Sequence, residues 1–142
     1  MVGIVIASHG SYGDGLVDAL ELLTGKQERV CAVGLRRGEV PDDYKRKLQN
    51  AIAGVDDGDG TLVLVDLFGG TPSNVTAQSL LDPNVSAIAG VNLAMLLDVV
   101  FSRDEMNLSE LTSEALTAGH GGIVDIRQKL SEVDAENDDA DF

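Results

Sequence analysis

Residues 2–10 read Val-Gly-Ile-Val-Ile-Ala-Ser-His-Gly. The run from Val2 to Ala7 is apolar almost without interruption and ends on small polar residues and a histidine. A strand that is apolar at nearly every position has both faces covered, which is the habit of a parallel sheet rather than of a half-solvated antiparallel one. Thr61–Leu67 repeats the pattern and ends in Asp66-Leu67-Phe68-Gly69-Gly70, while Arg29–Leu35 is another candidate and Val85–Ala89 a fourth, shorter one. Between them lie segments of helical period. Leu16, Val17, Leu20 and Leu23 are followed by a stop at Gly25. Pro41 and Asp42 open a helix that carries Tyr44, Leu48 and Ile52 and closes near Gly54. Strands alternating with helices imply parallel βα units under right-handed crossovers. The expected fold class is therefore α/β, an open and mostly parallel sheet flanked by helices.

The second half of the chain extends this pattern. Thr71 is a candidate N-cap with Pro72 at the first helical position. Asn92 can cap a helix bearing Leu93, Leu96, Leu97 and Val100, and Ser109 one bearing Leu111, Ala115 and Leu116. Gly119-His120-Gly121-Gly122 should break the chain, since three glycines in four positions suit a helix poorly. That puts His120 in a loop without chemistry. Ile123–Ile126 reads as a last short strand, and residues 131–142, with six acids in twelve, as a disordered acidic tail. The folded unit then spans residues 1–130 of a chain of 142.

Composition narrows the function. The formal charge is −14, from sixteen Asp and eight Glu against four Lys and six Arg, which argues against nucleic acid or an anionic membrane as partner. One cysteine, Cys31, permits neither an internal disulfide nor a thiolate metal cluster. No apolar run approaches the roughly 18–20 residues of a membrane span, and Val2–Ala7 lacks the basic leader of a signal peptide. A reducing cytoplasm is the expected compartment.

In open α/β sheets ligands gather at the carboxyl ends of the strands. Two segments meet that rule: Ser8-His9-Gly10 after the first strand, and Asp66 to Asn74 after the third. A neutral imidazole is a competent nucleophile near pH 7. A carboxylate such as Asp66 on Nδ1–H would fix the tautomer, free Nε2 and stabilise the charge that develops on the ring. Backbone N–H groups at a helix start bind an arriving phosphoryl group. Gly69 and Gly70 allow close approach, and Thr71 and Ser73 offer hydroxyls. Phosphoryl transfer needs mainly positioning and electrostatic help, so few residues suffice. Each of these residues also has a purely structural use, as a strand-end histidine, a loop-capping carboxylate or a turn, and only their combination points to a site. No glycine-rich loop ends in Lys-Ser or Lys-Thr, the glycines after His9 miss the dinucleotide spacing, and neither Ser8 nor Ser11 sits in a nucleophile elbow. Two histidines and one cysteine make a zinc site improbable.

The segments Val2–Gly10, Leu64–Asn74 (Leu-Val-Asp-Leu-Phe-Gly-Gly-Thr-Pro-Ser-Asn) and Ile88–Leu96 resemble, in this order, three segments of the mannose-family IIA domain of the bacterial phosphoenolpyruvate-dependent sugar phosphotransferase system. The resemblance covers about residues 1–130. It implies that His9 accepts phosphate through Nε2 from the histidine-phosphorylated carrier protein and passes it to a IIB domain for sugar uptake. Asp66 would orient the ring, and Thr71 would be a hydroxyl beside the site; with the cradle read from the residues themselves, the expected phosphoryl-binding set is Gly10, Gly69, Gly70, Thr71 and Ser73. The resemblance also implies no metal or organic cofactor, an indirect association with membrane IIC and IID components, and a homodimer that exchanges a C-terminal antiparallel strand, for which Ile123–Ile126 stands in the right place. His120 and the acidic tail have no counterpart in the family pattern. Two other functions fit the same residues: a phosphoryl donor serving dihydroxyacetone kinase, a branch that tends to lack the Gly-Gly-Thr-Pro run, and a flavodoxin-like regulatory domain in which His9 is structural.

Overall fold

Strand β1 (Gly3–His9) is buried from Gly3 to Ser8 and emerges only at His9. The computed structural model describes residues 1–140. It continues as α1 (Tyr12–Thr24), β2 (Val30–Leu35), α2 (Pro41–Val55), β3 (Thr61–Val65), α3 (Gly70–Ser79), β4 (Val85–Ala89), α4 (Leu93–Ser102), α5 (Leu108–Gly121) and α6 (Ile126–Ala140). The four strands form one parallel sheet in the order β2-β1-β3-β4, with Ala7 opposite Val33 on one side and Val65 on the other. Period-two alternation sorts the core into two layers. Ile4, Ile6, Leu62 and Leu64 pack with Leu20, Met95, Leu96, Val99 and Leu111 of α1, α4 and α5. Val5, Ala7, Val63 and Val65 pack with Tyr44, Leu48 and Val75 of α2 and α3. The continuous apolar runs are thus explained by burial on both faces. No helix among the described residues is long and apolar enough to cross a membrane.

Tyr44 is fully buried, and its hydroxyl donates to the Val33 carbonyl at 2.9 Å. Tyr44→Phe removes that buried hydrogen bond and should cost about 1 kcal/mol in a urea titration near neutral pH. Burial, with the charges of Asp66 and Glu39 adding to it, pushes the phenol well above its usual range. A group that holds its proton more tightly when folded stabilises fully below its unfolded value, about 10 for tyrosine, and loses that contribution as pH rises above it. The gap between wild type and Tyr44→Phe should therefore stay constant up to about pH 10 and narrow above it. A gap that stays constant there too would remove Tyr44 from the alkaline limb.

The structure corrects several local expectations. α5 does not stop before Gly119: it runs to Gly121, with His120 exposed in its last turn rather than in a loop. The glycines serve close packing on α4. A Cβ on Gly119 would lie 2.5 Å from Met95 Cε, and one on Gly122 would lie 2.4 Å from Ala94 Cβ. The Asn92 side chain ties the two helices, capping α4 by accepting from the Met95 amide and donating to the Gly119 carbonyl, both at 2.9 Å. The cap of α5 is Asn107, in a reciprocal box with Glu110, and not Ser109. The cap of α3 is Gly69, which puts Thr71 and Pro72 inside the first turn.

Ile123–Ile126 is not a strand. Among the described residues no strand pairs with it, and local signals win: Asp125 accepts from the Gln128 amide at 3.2 Å and Ile126 opens α6. The tail expected to be disordered is helical to Ala140, with Lys129 and Glu132 one turn apart at 4.0 Å; its last two residues lie outside the described ones. Among the described residues α6 contacts no other element of the chain, which leaves Ile126, Leu130 and Val133 uncovered.

Candidate functional site

The strand order decides where the site can be. β1 leads to β2 on one side and lies against β3 on the other, so the chain reverses its direction of growth between β1 and β3. The crevice at the carboxyl ends of such a pair is where open α/β sheets bind ligands. His9 is the last residue of β1, and Asp66 follows β3 directly. The Asp66 amide donates to the Ala7 carbonyl at 3.1 Å, which carries the ladder one step past the strand and brings the carboxylate level with His9.

A single oxygen of Asp66 then serves His9 twice. Oδ2 accepts from the His9 backbone N–H at 2.8 Å and stands 2.9 Å from Nδ1. With Oδ2 as acceptor, Nδ1 carries the ring proton and Nε2 keeps its lone pair. Asp66 is mostly covered while the His9 side chain is 47% exposed, so the carboxylate is sheltered and the ring is open to an incoming group. The other oxygen, Oδ1, is buried with no hydrogen-bond partner among the described residues. Its charge is therefore not drawn off by another donor.

Nε2 faces the start of α3. A Cβ on Gly70 would lie 3.1 Å from Nε2 and 3.2 Å from Cε1, and the residue has a φ of +83°, so glycine is needed on two counts. The free N–H groups of the first turn of α3 lie beside the nitrogen that would carry an anion. Thr71 and Ser73, both half-buried, are in that same turn. A second helix starts nearby: buried Ser8 accepts the Gly13 amide of α1 on its Oγ at 3.0 Å. Gly10, at φ +56°, turns the chain from β1 towards α1, and its N–H donates to the Leu35 carbonyl at 2.8 Å. On the β2 side, His9, Gly10, Ser11, Leu35, Arg36 and Arg37 line an open hollow of about 650 Å³.

Four of the seven residues singled out from sequence line the ring or its crevice: His9, Asp66, Gly10 and Gly70. Gly69 caps the adjoining helix. Thr71 and Ser73 share the adjoining helix turn, and His120 is at the end of α5. Sequence reasoning passed over Ser8, whose helix-capping bond pairs residues that only the β1–α1 turn brings together. The adjacent cations Arg36 and Arg37, a signal in so acidic a chain, were also left unused by sequence reasoning.

The family model of the phosphotransferase system (PTS) fructose IIA component matches residues 3–116. The chain belongs to that family. Over 130 residues this IIA chain is 32% identical to the PTS mannose-specific EIIAB component of Escherichia coli K12, a match that takes in 90% of the chain but 40% of the longer protein. It is 28% identical over 140 residues to the PTS fructose-specific EIIA component of Bacillus subtilis 168, covering 98% of the chain and 96% of that protein. Among solved structures, the EIIA component from Streptococcus agalactiae is 36% identical with a TM-score of 0.83, covering 90% of this chain and 99% of that one. The likeness supports the sheet, its helices and the phosphoryl-carrier class together.

Proposed function

We propose that this IIA domain carries phosphate on His9 Nε2, taking it from a histidine-phosphorylated carrier protein and giving it to a IIB domain that serves sugar uptake. The observation that carries this reading is the double engagement of Asp66 Oδ2 by the His9 amide and Nδ1, which leaves Nε2 free beside Gly70. The lone pair of Nε2 attacks phosphorus as the donor's P–N bond breaks, and the positive charge gained by the ring is balanced by Asp66. Gly10, Gly69 and Gly70 let backbone approach the phosphoryl group, while Thr71 and Ser73 supply hydroxyls at the same helix start. The reaction needs no organic cofactor or metal, because the phosphoryl group arrives already activated on nitrogen.

The related proteins are named for mannose and fructose, and the sugar here belongs to that broad class, chosen by membrane IIC and IID components reached through IIB. The compartment is the cytoplasm, and the folded carrier unit is residues 1–130. Homodimer formation is supported by uncovered Ile123, Val124, Ile126 and Leu130, apolar groups that a second copy would bury.

Incubation with phosphoenolpyruvate, enzyme I and the phosphocarrier protein tests the reading by intact mass. The expected product has one phosphate per chain, labile in acid and stable in alkali. No uptake, or a bond stable in acid, would overturn it.

A further inference from the structure

The hollow beside His9 has a basic wall that the carrier mechanism has not used. Arg36, Arg37, Gly38 and Glu39 form a turn just beyond β2, closed by the Glu39 amide donating to the Arg36 carbonyl at 3.1 Å, with Gly38 at φ +76°. The Glu39 carboxylate locks the turn from the other side. It accepts from the Arg36 amide at 3.1 Å and pairs with Lys47 at 2.9 Å, contacts that hold its carboxyl below the usual range. The stem is fastened to the strand end bearing His9: Gly10 donates to the Leu35 carbonyl, and a Cβ on Gly34 would fall 2.0 Å from the Gly10 oxygen. The turn is therefore a fixed part of the crevice.

Its two guanidinium groups are not equivalent. Arg36 is engaged by Asp14 at 3.2 Å. Arg29 and Arg46 also face carboxylates, and Arg103 is taken up by the carbonyls of Glu28 and Arg29. Arg37, exposed at the tip of the turn, has no carboxylate within ion-pair distance among the described residues. An uncommitted cation thus stands on the wall of the same hollow as the nucleophile, in a chain of net charge −14.

We propose that Arg37 binds the phosphoryl group in transit at His9, a role that rests on the carrier reading above. In the transfer the donor's P–N bond breaks and its electron pair returns to the donor nitrogen. The Nε2 lone pair of His9 forms the new P–N bond. Arg37 exchanges no proton and offers N–H donors to the equatorial oxygens, whose charge is spread in the transition state.

The test compares wild type with Arg37→Gln and Arg37→Lys in the full chain, following the single transfer from the phosphorylated carrier protein. Arg37→Gln should still accept one acid-labile phosphate, with kcat reduced about tenfold and KM within about twofold. Arg37→Lys should recover a good part of the rate, and the phosphorus resonance of the phosphorylated domain alone should differ between wild type and Arg37→Gln. A raised KM at unchanged kcat would assign Arg37 to partner docking and overturn the proposal, as would two variants indistinguishable from wild type. Wild type that takes up no phosphate at all would instead overturn the carrier reading, independently of what the Arg37 variants do.

Discussion

His9→Ala should take up no measurable phosphate in the same reconstituted reaction, yet fold as wild type does. The reason lies in how the residue is held. Its side chain is 47% exposed and contributes one hydrogen bond, to an Asp66 oxygen that is also held by the His9 backbone amide. Alanine keeps the backbone bond and removes little packing, so the stability change should remain within about 1 kcal/mol. The chemistry has no such reserve. The only other imidazole of the chain is His120, in the last turn of α5 and exposed, where no carboxylate pairs with its ring among the described residues. Intact mass after incubation reads the first part, and a urea titration of both proteins reads the second. Phosphate on His9→Ala would transfer the carrier role to another residue. Loss of uptake with loss of folding would make His9 a structural histidine.

The parts of this arrangement differ in how far sequence reveals them. Val2–Ala7, and Thr61–Val65 within the Thr61–Leu67 run, were readable as buried strands because a segment covered on both faces has to be apolar at successive positions, and composition records that directly; Leu67 lies past the strand and is exposed. That β1 and β3 are neighbours is a long-range fact. It follows from the order β2-β1-β3-β4, and no local residue pattern encodes it, so the pairing of His9 with Asp66 was an inference from the strand-end rule and from the family resemblance. Glycine misled for a physical reason. Propensity counts the cost of glycine to the helix but is blind to Met95 and Ala94, which fill the space where a Cβ on Gly119 and on the capping Gly122 would sit. The reciprocal cap of Asn107 and Glu110 was visible as an Asn-x-x-Glu spacing and was overlooked in favour of Ser109. The apolar residues of 123–126 looked like a strand because such residues usually signal burial. In the single chain they are uncovered, and the Asp125 cap sets the local structure instead.

Asp66→Asn separates the two duties of the carboxylate. Asparagine is nearly the same shape, and with its carbonyl oxygen in the place of Oδ2 it can still accept from both the His9 amide and Nδ1–H. Orientation of the ring is then kept. Two things change. The negative charge that balances the imidazolium formed as Nε2 bonds to phosphorus is gone. The amide nitrogen also occupies the buried site of Oδ1, where no partner among the described residues accepts its protons. The second change is a stability term, on the order of 1–3 kcal/mol for an unpaired buried donor. The first is a rate term. Charge stabilisation of this kind in a sheltered site is commonly a factor of about 10² to 10³, and Asp66 is mostly covered. Phosphorylation of Asp66→Asn should therefore be slowed by roughly two orders of magnitude, with the final level still one phosphate per chain when donor is in excess. Stopped-flow or quench measurement of the single transfer gives the rate, and a melt under the same conditions shows that the fold persists. If the rate is unchanged, Asp66 acts by orientation alone, and the electrostatic part of the mechanism is wrong. If Asp66→Ala, which loses both bonds to His9, is no slower than Asp66→Asn, orientation contributes nothing beyond charge.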